Sequence, residues 1–148
     1  MPEELHVGVL MFIAYRSAEN RIIEAVQGAG YADFTVAQAR IAARIGPDGT
    51  RLSELAEQAQ VAKQTATALV DRLERAGYVE RVADPSDGRA RLVRIAPKGA
   101  KIIPIARAEE AEIEAEWTKH LGSRRMAQLR EALTLLREIT DPYQRSSG

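Results

Sequence analysis

One stretch of the sequence, residues 62–96, limits the fold more than any other. It opens with small and aliphatic residues that recur every three or four positions, namely Ala62, Ala66, Leu69, Val70, Leu73 and Ala76. That spacing predicts an amphipathic helix with one apolar face. Gly77 follows, and the β-rich runs YVERVA and RLVRI then flank a turn that begins at Asp84. The stretch therefore predicts a helix followed directly by a two-stranded antiparallel hairpin.

The tip of this hairpin, DPSDGRARLV at 84–93, is rich in arginine although it is predicted to be exposed. Pro85 and Gly88 fit a tight turn, and the polar residues beside them can accept hydrogen bonds from the local backbone. Residues 81–101 contain six basic and two acidic side chains, whereas the whole chain has a formal net charge of +0. Because arginines on an exposed turn have no core to stabilise, they serve either an anionic partner or solvation alone.

Helical patterns fill the chain on both sides of this stretch. Apolar residues over 5–27 recur at helical spacing, and a second helix is predicted to begin at Thr35, which can open a capping box. A third, short helix is predicted over 51–59, with Thr50 or Ser53 as its cap. After the hairpin, the pattern predicts a long helix from about 98 to 120 and a last helix that ends near 140.

The composition excludes several kinds of chemistry. The chain contains no cysteine, which rules out disulfides, thiolate zinc sites and a cysteine nucleophile. Its two histidines, His6 and His120, lie at opposite ends without clustered carboxylates, and no Gly-rich phosphate loop or Ser/His/Asp set is present. We therefore expect no metal, no cofactor and no enzymatic activity.

The hydropathy pattern also argues against membrane association. The longest apolar stretches, such as residues 7–15, are much shorter than the roughly 18 residues of a membrane span. No signal-type segment precedes them. We expect a cytoplasmic protein without a membrane partner.

Two helices joined by a tight turn and followed by a basic hairpin are the layout of a winged helix-turn-helix. In that layout the second helix enters the major groove of DNA, and the hairpin reaches the neighbouring backbone or minor groove. Lys63, Gln64 and Thr67 lie near the start of the helix at 62–76 and would approach base edges. Gln pairs well with adenine, and Thr can bond to a base or contact a thymine methyl. The alternative is an ordinary solvated helix face.

The segment LSELAEQAQVAKQTATALVDRLERAGYVERVADPSDGRARLVRIAPKG at 52–99 resembles the winged-helix regulators of the multiple antibiotic resistance regulator (MarR) family. The resemblance is carried by LVDRLERAGYVER at 69–81 and by the hairpin pattern DPSDGRARLV, followed by Lys98 and Gly99. Outside this segment the likeness is one of helix order. The resemblance implies a mainly α fold with a small β-hairpin wing, a winged helix-turn-helix with N- and C-terminal dimerisation helices.

The resemblance further implies how the chain is organised and what it does. We expect a single domain over 1–148, with a DNA-binding lobe at 32–100 and dimerisation helices at 5–28 and 101–140. The implied function is that of a homodimeric, sequence-specific transcriptional regulator, a repressor, that binds double-stranded DNA at a pseudo-palindromic operator. The alternative is a winged-helix scaffold that binds proteins and has lost DNA binding.

Individual residues take implied roles from the same resemblance. Arg89 matches the wing arginine that enters the minor groove, where narrow grooves concentrate negative potential. Asp87 matches an acid that pairs with a wing arginine and holds the loop. Further DNA contacts are expected at Thr65, Ala68, Arg72, Arg75, Arg81 and Arg91. Ala68 departs from the arginine that many relatives carry there, and the arginines at 72, 75 and 81 can instead pair with Asp71 and Glu74.

An effector is also implied, because relatives commonly bind small aromatic or phenolic anions between the dimer helices and the DNA-binding lobe. By location, Tyr15, Arg16 and Arg40 are the residues that could line such a pocket. Each of them is also compatible with a structural or surface role.

Overall fold

The computed structural model describes residues 3–143. Over this range the chain forms seven helices and one two-stranded antiparallel sheet. In chain order the elements are α1 (Val7–Gly28), α2 (Val36–Ala42), α3 (Leu52–Ala59), α4 (Lys63–Arg75), β1 (Val79–Asp84), β2 (Asp87–Ile95), α5 (Pro97–Ala100), α6 (Ile102–Leu121) and α7 (Ser123–Thr140). The predicted mainly α fold with a β-hairpin wing is confirmed.

The chain divides into two compact units within α6. The N-terminal unit ends at Glu109 and contains α1 to α5, the hairpin and the first part of α6. The C-terminal unit begins at Glu110 and contains the rest of α6 and all of α7. The predicted DNA-binding elements therefore lie together in the N-terminal unit.

The helix starts show where local sequence decides structure. Thr35 caps α2 as predicted: its hydroxyl oxygen accepts the N–H of Gln38 at 3.2 Å, and the Gln38 side chain accepts the N–H of Thr35 at 3.0 Å. The predicted caps of α3 are wrong, because the residue that precedes α3 is Arg51 and it makes no side-chain cap. Thr50 instead accepts a backbone N–H of the preceding loop at 2.9 Å, and Ser53 lies exposed inside α3.

The core of the N-terminal unit is built around α4. Ala66, Val70 and Leu73 recur at the predicted helical spacing and are fully buried. The buried residues that complete this core are Ile23, Val26, Phe34, Ile41, Leu55, Ala56, Tyr78, Val79, Val93 and Ile102. Full burial of a large apolar side chain contributes roughly 1.5–3 kcal/mol. Because one face of α4 is fixed in this core, its opposite face is presented to solvent in a defined orientation.

Tyr78 joins the end of α4 to the segment that follows the hairpin. Its ring packs edge-on against Phe34 with ring centres 5.2 Å apart, and its hydroxyl donates a hydrogen bond to Asp33. Burial first, and then this bond, raise the pKa of Tyr78 well above its ordinary value. The ammonium of Lys98 lies 4.5 Å from the ring centre, and Gly99 packs directly against the Tyr78 backbone. These contacts fix the end of α4 against the start of α5.

The hairpin pairs β1 and β2 with Val79 opposite Ile95 at its base and Asp84 opposite Asp87 at its tip. The turn is shorter than the sequence indicates, because only residues 85–86 lie between the strands. The arginine-rich segment therefore belongs to β2 and not to the turn. The register is irregular there, because Arg91 lies opposite Ala83 while Asp87 lies opposite Asp84, and residues 88–90 bulge from the ladder.

The long helix predicted from about 98 to 120 is divided in the structure. Pro97 is the first residue of the short helix α5, a position that suits proline because its backbone N–H would have no partner within the helix. Helix α6 begins at Ile102. In the C-terminal unit α6 is followed by Gly122, whose φ of +90° favours glycine, and α7 begins at the next residue. Arg130 of α7 pairs with Glu114 of α6 at 2.6 Å.

Two helices expose many apolar side chains. α1 starts after His6, whose Nδ1 accepts the N–H of Gly8 at 2.9 Å. Around this start the exposed large apolar residues are Leu5, Val7, Val9, Leu10, Met11, Phe12, Ile13 and Tyr15. In the other unit, α7 contains no buried residue, and its exposed apolar residues are Leu129, Leu133, Leu135, Leu136 and Ile139. Apolar exposure on this scale exceeds what scattered surface residues produce.

Candidate nucleic-acid interface

The exposed face of α4 carries six of the side chains predicted to contact DNA. The exposed members of that prediction on α4 are Lys63, Gln64, Thr65, Ala68, Arg72 and Arg75. A helix of this length spans about 20 Å and fits into a major groove about 12 Å wide. Ala62 precedes the helix and provides no side-chain cap. The face is therefore polar along one side of a well-anchored helix.

Gln64 and Thr67 differ in what they can offer a base. The hydroxyl of Thr67 donates to the backbone carbonyl of Lys63 at 2.8 Å, and the side chain is half-buried. Its oxygen can still accept a hydrogen bond and its methyl can contact a thymine methyl. Over residues 3–143 the Gln64 amide has no hydrogen-bond partner, so both its donor and its acceptor are available. Gln64 is the better placed of the two for bidentate contact with adenine.

On the hairpin, Arg89 and Arg91 are both exposed on β2. Neither guanidinium has an ion-pair partner within the part of the chain that the structure describes. Arg94 differs, because it pairs across the hairpin with Glu80 at 2.6 Å. For Arg94 the structure thus gives a role on the strand surface. Over residues 3–143, the β2 arginines without an ion-pair partner are therefore Arg89 and Arg91.

The acid that holds the hairpin is not the expected one. Asp87 is expected to pair with a wing arginine, but its carboxylate accepts the backbone N–H of Arg89 at 3.1 Å. The ion pair is formed by Asp84, which accepts from the guanidinium of Arg51 at 2.9 Å. The reason is position: Asp84 is buried at the end of β1, close to the start of α3, whereas Asp87 is exposed on β2. Hydrogen bonds from Ser86, then that from Arg51, lower the pKa of Asp84 to about 2.

For the arginines near the end of α4, the sequence leaves open either DNA contact or ion pairs with Asp71 and Glu74, and the structure differs from one arginine to the next. Arg81 pairs with both Asp71 and Glu74 at 2.8 Å, and only 18% of its side chain is exposed. Arg75 donates from Nε to the Asp71 carbonyl at 3.4 Å, and its side chain remains exposed. Arg72 is exposed on the same helix. Arg81 therefore attaches the base of β1 to α4, and Arg72 and Arg75 are the freer cations.

Sequence reasoning missed the residues that attach the hairpin to the helices. Thr50 and Val93 form an antiparallel bridge, each N–H donating to the other's carbonyl at 2.9 Å. Gly49, with φ +94°, allows this approach, since a Cβ there would lie 3.0 Å from the Cβ of Leu92. Arg51 binds Asp84 as described above. The available signal is GPDGT, because two glycines in five residues permit a loop to pass close to another strand.

The residues predicted to line an effector pocket do not all meet. Tyr15 donates to Glu19 at 2.8 Å, and Arg40 binds the same carboxylate through Nε at 3.0 Å and Nη2 at 2.7 Å. The hydrogen bond from Arg40 is the main cause that lowers the pKa of Glu19. Arg16 lies over the Phe12 ring, 5.3 Å from its centre. The structure thus brings Tyr15 and Arg40 together through Glu19, a residue that the sequence did not single out.

Residues 3–143 contain neither a metal-ligand cluster nor a membrane-spanning helix. No group of three or more His, Cys, Asp or Glu side chains in this range is arranged to hold a metal ion. None of the helices in the same range is both long and apolar enough to cross a membrane.

Comparison with known proteins gives one consistent result. The MarR family model matches residues 32–90. The HTH-type transcriptional regulator BilQ of Clostridioides difficile is 29% identical over 70 residues, which are 47% of this chain and 45% of BilQ. The transcriptional activatory protein BadR of Rhodopseudomonas palustris is 30% identical over 98 residues, 66% of this chain and 55% of BadR. The chain thus spans about half the length of these two relatives.

Among solved structures, apo wild-type MarR from E. coli is similar over almost its whole length. Its TM-score is 0.72 at 26% identity, and the match covers 90% of this chain and 98% of that chain. The similarity in fold therefore extends far beyond the segment that carries the sequence resemblance.

Proposed function

We propose that this chain is a winged helix-turn-helix transcriptional regulator of the MarR type, to which its residues 32–90 and its fold are similar. In this proposal it is a homodimer that binds a pseudo-palindromic DNA operator and is modulated by a small effector. The observation that carries this proposal is the contrast among the basic side chains. Arg89 and Arg91 on β2 have no ion-pair partner over residues 3–143, whereas Arg81 and Arg94 nearby are paired with acids. Free cations beside an exposed polar helix face suit a phosphate backbone and a groove.

We assign different tasks to the two elements. The α4 side chains that include Gln64 and Thr67 read base edges, while Arg89 reads groove shape and charge. Loss of Arg89 should therefore weaken binding to most sequences, and loss of Gln64 should weaken binding to the operator alone. Comparing the effects of these two losses on operator and on scrambled DNA is the most direct test of the proposal.

The test is a titration of the protein against operator and scrambled duplexes at two salt concentrations. The operator is first located by footprinting the promoter beside the protein's own gene. Arg89→Ala is expected to weaken binding to both duplexes and to lower the salt slope by about one for each lost phosphate contact. Gln64→Ala is expected to cost about 1–3 kcal/mol on the operator, with little change on scrambled DNA.

Arg94→Ala is the matched control, because its guanidinium is already paired with Glu80 and should contribute little to binding. If Arg89→Ala leaves affinity and salt slope unchanged, the hairpin is not a DNA element. The scaffold alternative, in which the winged helix binds proteins instead, would then replace the proposal. A wild-type protein that shows no salt-dependent binding to duplex DNA would have the same consequence.

We propose that the dimer forms through the first helix and the last two. Support comes from the eight exposed large apolar residues over 5–15 and, separately, from α7, which contains no buried residue. Contiguous apolar surface of this kind is typical of an interface between subunits. In such a dimer two recognition helices lie about 34 Å apart and read an inverted repeat. A footprint over one asymmetric half-site would contradict it.

For the effector, we keep the class implied by the family resemblance, a small aromatic anion. Tyr15 and Arg40 both bind the carboxylate of Glu19, which is the combination of donors that an external carboxylate would also use. Arg16 is close to this group only because it follows Tyr15 on α1. A thermal-shift screen of small aromatic acids checks this proposal, and Arg40→Met is expected to abolish any stabilisation that the wild type shows.

The direction of regulation is proposed as repression. BadR, one of the similar proteins, is named an activatory protein, so a reporter fused to the footprinted promoter decides the direction for this chain. Binding to chromosomal DNA implies a cytoplasmic location, and the proposed role includes no enzymatic step and no cofactor.

A further inference from the structure

Residues 49–51 hold the hairpin by both of its strands. On β2, Val93 exchanges backbone hydrogen bonds with Thr50, 2.9 Å in each direction. On β1, Asp84 accepts from Nε and Nη2 of Arg51 at 3.1 Å and 2.9 Å through its Oδ2. One short loop before α3 therefore binds β2 near its base and β1 at the tip.

The Arg51–Asp84 pair is constrained on each side. The Oδ1 of Asp84 accepts the N–H and the hydroxyl of Ser86 at 2.8 Å and 2.7 Å, and only 8% of the Asp84 side chain is exposed. The carbonyl of Arg51 accepts the N–H of Leu55 at 3.1 Å in the first turn of α3. Leu55 itself is completely buried in the core around α4. A continuous series of contacts thus leads from the α4 core to the tip of the hairpin.

This position places the pair close to the cation that the proposed function requires. Asp84 lies opposite Asp87 in the hairpin register, and Arg89 follows Asp87 by two residues on β2. Arg81 attaches the base of β1 to α4, so the pair adds a second attachment at the other end of the same strand. A hairpin held only at its base could pivot at the tip, whereas one held at both ends has a defined angle to α4.

We propose that Arg51 and Asp84 are positioning residues that set the angle of the hairpin to α4, so that Arg89 and the α4 side chains engage one DNA site together. The inference rests on the DNA-binding function proposed above. Arg51 acts here through Asp84 and the hairpin, and not as a phosphate contact of its own. The physical gain is preorganisation, because the hairpin angle is fixed before DNA binds.

The test is a set of mutant cycles measured by titration against operator duplex at two salt concentrations. Arg51→Met removes the guanidinium and keeps the apolar stem, and Asp84→Asn removes the charge while an oxygen remains for Ser86. Each is expected to weaken binding on the order of tenfold, within the range of coupled residues. In double variants with Arg89→Ala, each substitution should cause little further loss of affinity, because it weakens binding through the position of Arg89. Arg94→Met is the control, since its ion pair with Glu80 lies inside the hairpin.

The outcomes separate the explanations. If Arg51 touched phosphate directly, Arg51→Met would lower the salt slope, and its loss of affinity would add fully to that of Arg89→Ala. Asp84→Asn would then strengthen binding, because it frees Arg51. That pattern overturns the proposal. If the wild type binds and both variants bind equally well, only the positioning role is lost. If the wild type shows no salt-dependent binding, the proposed function fails and the positioning role fails with it.

A second measurement separates positioning from general unfolding. Amide hydrogen exchange of Arg51→Met, at a temperature well below its melting transition, should accelerate over 84–91 and stay unchanged in α3 and α4. Equal acceleration across α3, α4 and the hairpin would show a general loss of stability and overturn the proposal. Arg51→Lys keeps the charge without the two-bond geometry, and it is expected to restore less than half of the lost affinity.

Discussion

Gly99 occupies a site in which a single methyl group does not fit. A Cβ at this position would lie 2.2 Å from the carbonyl oxygen of Tyr78 and 3.2 Å from Cγ2 of Ile95. Because the nearest atom belongs to the backbone, Gly99→Ala must displace the segment that joins α4 to β1. We expect a loss of about 1–3 kcal/mol in the free energy of unfolding, measured with urea.

The control for this prediction is Gly88→Ala on the hairpin. A Cβ on Gly88 meets no atom within 4 Å, so its stability should change by no more than about 0.5 kcal/mol. Equal stability of the two variants would show that the contact between Gly99 and Tyr78 relaxes without cost.

Asp84 makes the stability of the N-terminal unit sensitive to acid. Hydrogen bonds from Ser86 and then Arg51 lower its pKa from 3.8 to about 2 in the folded protein. A carboxylate whose pKa is lowered by folding stabilises the fold fully above its unfolded pKa, and that contribution disappears as the pH falls through the folded pKa. The stability difference between wild type and Asp84→Asn should therefore be constant from pH 5 to 7 and shrink below about pH 4.

Urea unfolding of both proteins at a series of pH values measures that difference. Ser86→Ala serves as a partial control, because it removes the hydrogen bond from the Ser86 hydroxyl to Asp84. It should narrow the pH range over which the stability difference shrinks. A difference that grows on acidification would contradict the assignment.

Single-residue features were predictable where the partners are close in sequence. Thr35 and Gln38 are three positions apart, and the capping box between them is confirmed. Arg51 and Asp84 are separated by 33 positions, so no local pattern brings them together. The resemblance pointed to Asp87 instead, because motif position does not show which of two nearby acids faces the helices.

At the scale of elements, α4 begins without a side-chain cap. Ala62 has extended backbone angles that suit a capping residue, but it lacks an acceptor side chain. Ala62→Ser adds a hydroxyl that can accept an N–H in the first turn of α4. We expect a gain of about 0.5–2 kcal/mol in the free energy of unfolding.

Thr35→Ala is the matched comparison, because it removes an existing cap and should destabilise by a similar amount. Chemical unfolding of both variants beside the wild type gives the two values. If Thr35→Ala destabilises and Ala62→Ser changes nothing, the first turn of α4 must already be satisfied by water.

The elements themselves were largely predictable, and their ends were less so. α4 and the hairpin follow from strong periodicity, with Val70 and Val79 buried as expected. The break between α5 and α6 was not predicted, although Pro104, which has no N–H to donate to the carbonyl of residue 100, is a sequence signal for it. The tip of the hairpin proved narrower than expected, since glycine and aspartate fit a strand end as well as a turn.

At the scale of the whole molecule, dimerisation through α1 is open to a direct test. Leu10 is 50% exposed, so Leu10→Glu should leave the fold of the subunit intact and place a charge in the proposed interface. Light scattering at micromolar concentration should give a dimer for the wild type and a lower mass for this variant, as buried unpaired charge opposes association. Ala37→Glu, at an exposed position on α2, is the control and should remain dimeric.

A wild-type mass equal to one subunit would contradict the dimer, and with it the inverted-repeat operator. The proposed interface rests on the density of apolar residues in α1, which is visible in the sequence. The sequence could not show which helices pair, since that choice depends on the shape of both surfaces.

The internal pairing of arginines also affects how the protein would search a chromosome. Arg51, Arg81 and Arg94 are paired with neighbouring acids, so fewer cations remain to displace counterions from random DNA than the number of arginines in this region suggests. Weak attachment to random sequence leaves a larger share of molecules free to exchange between sites. We expect a regulator with short residence on the bulk of the genome, whose occupancy at its operator depends chiefly on base reading by α4.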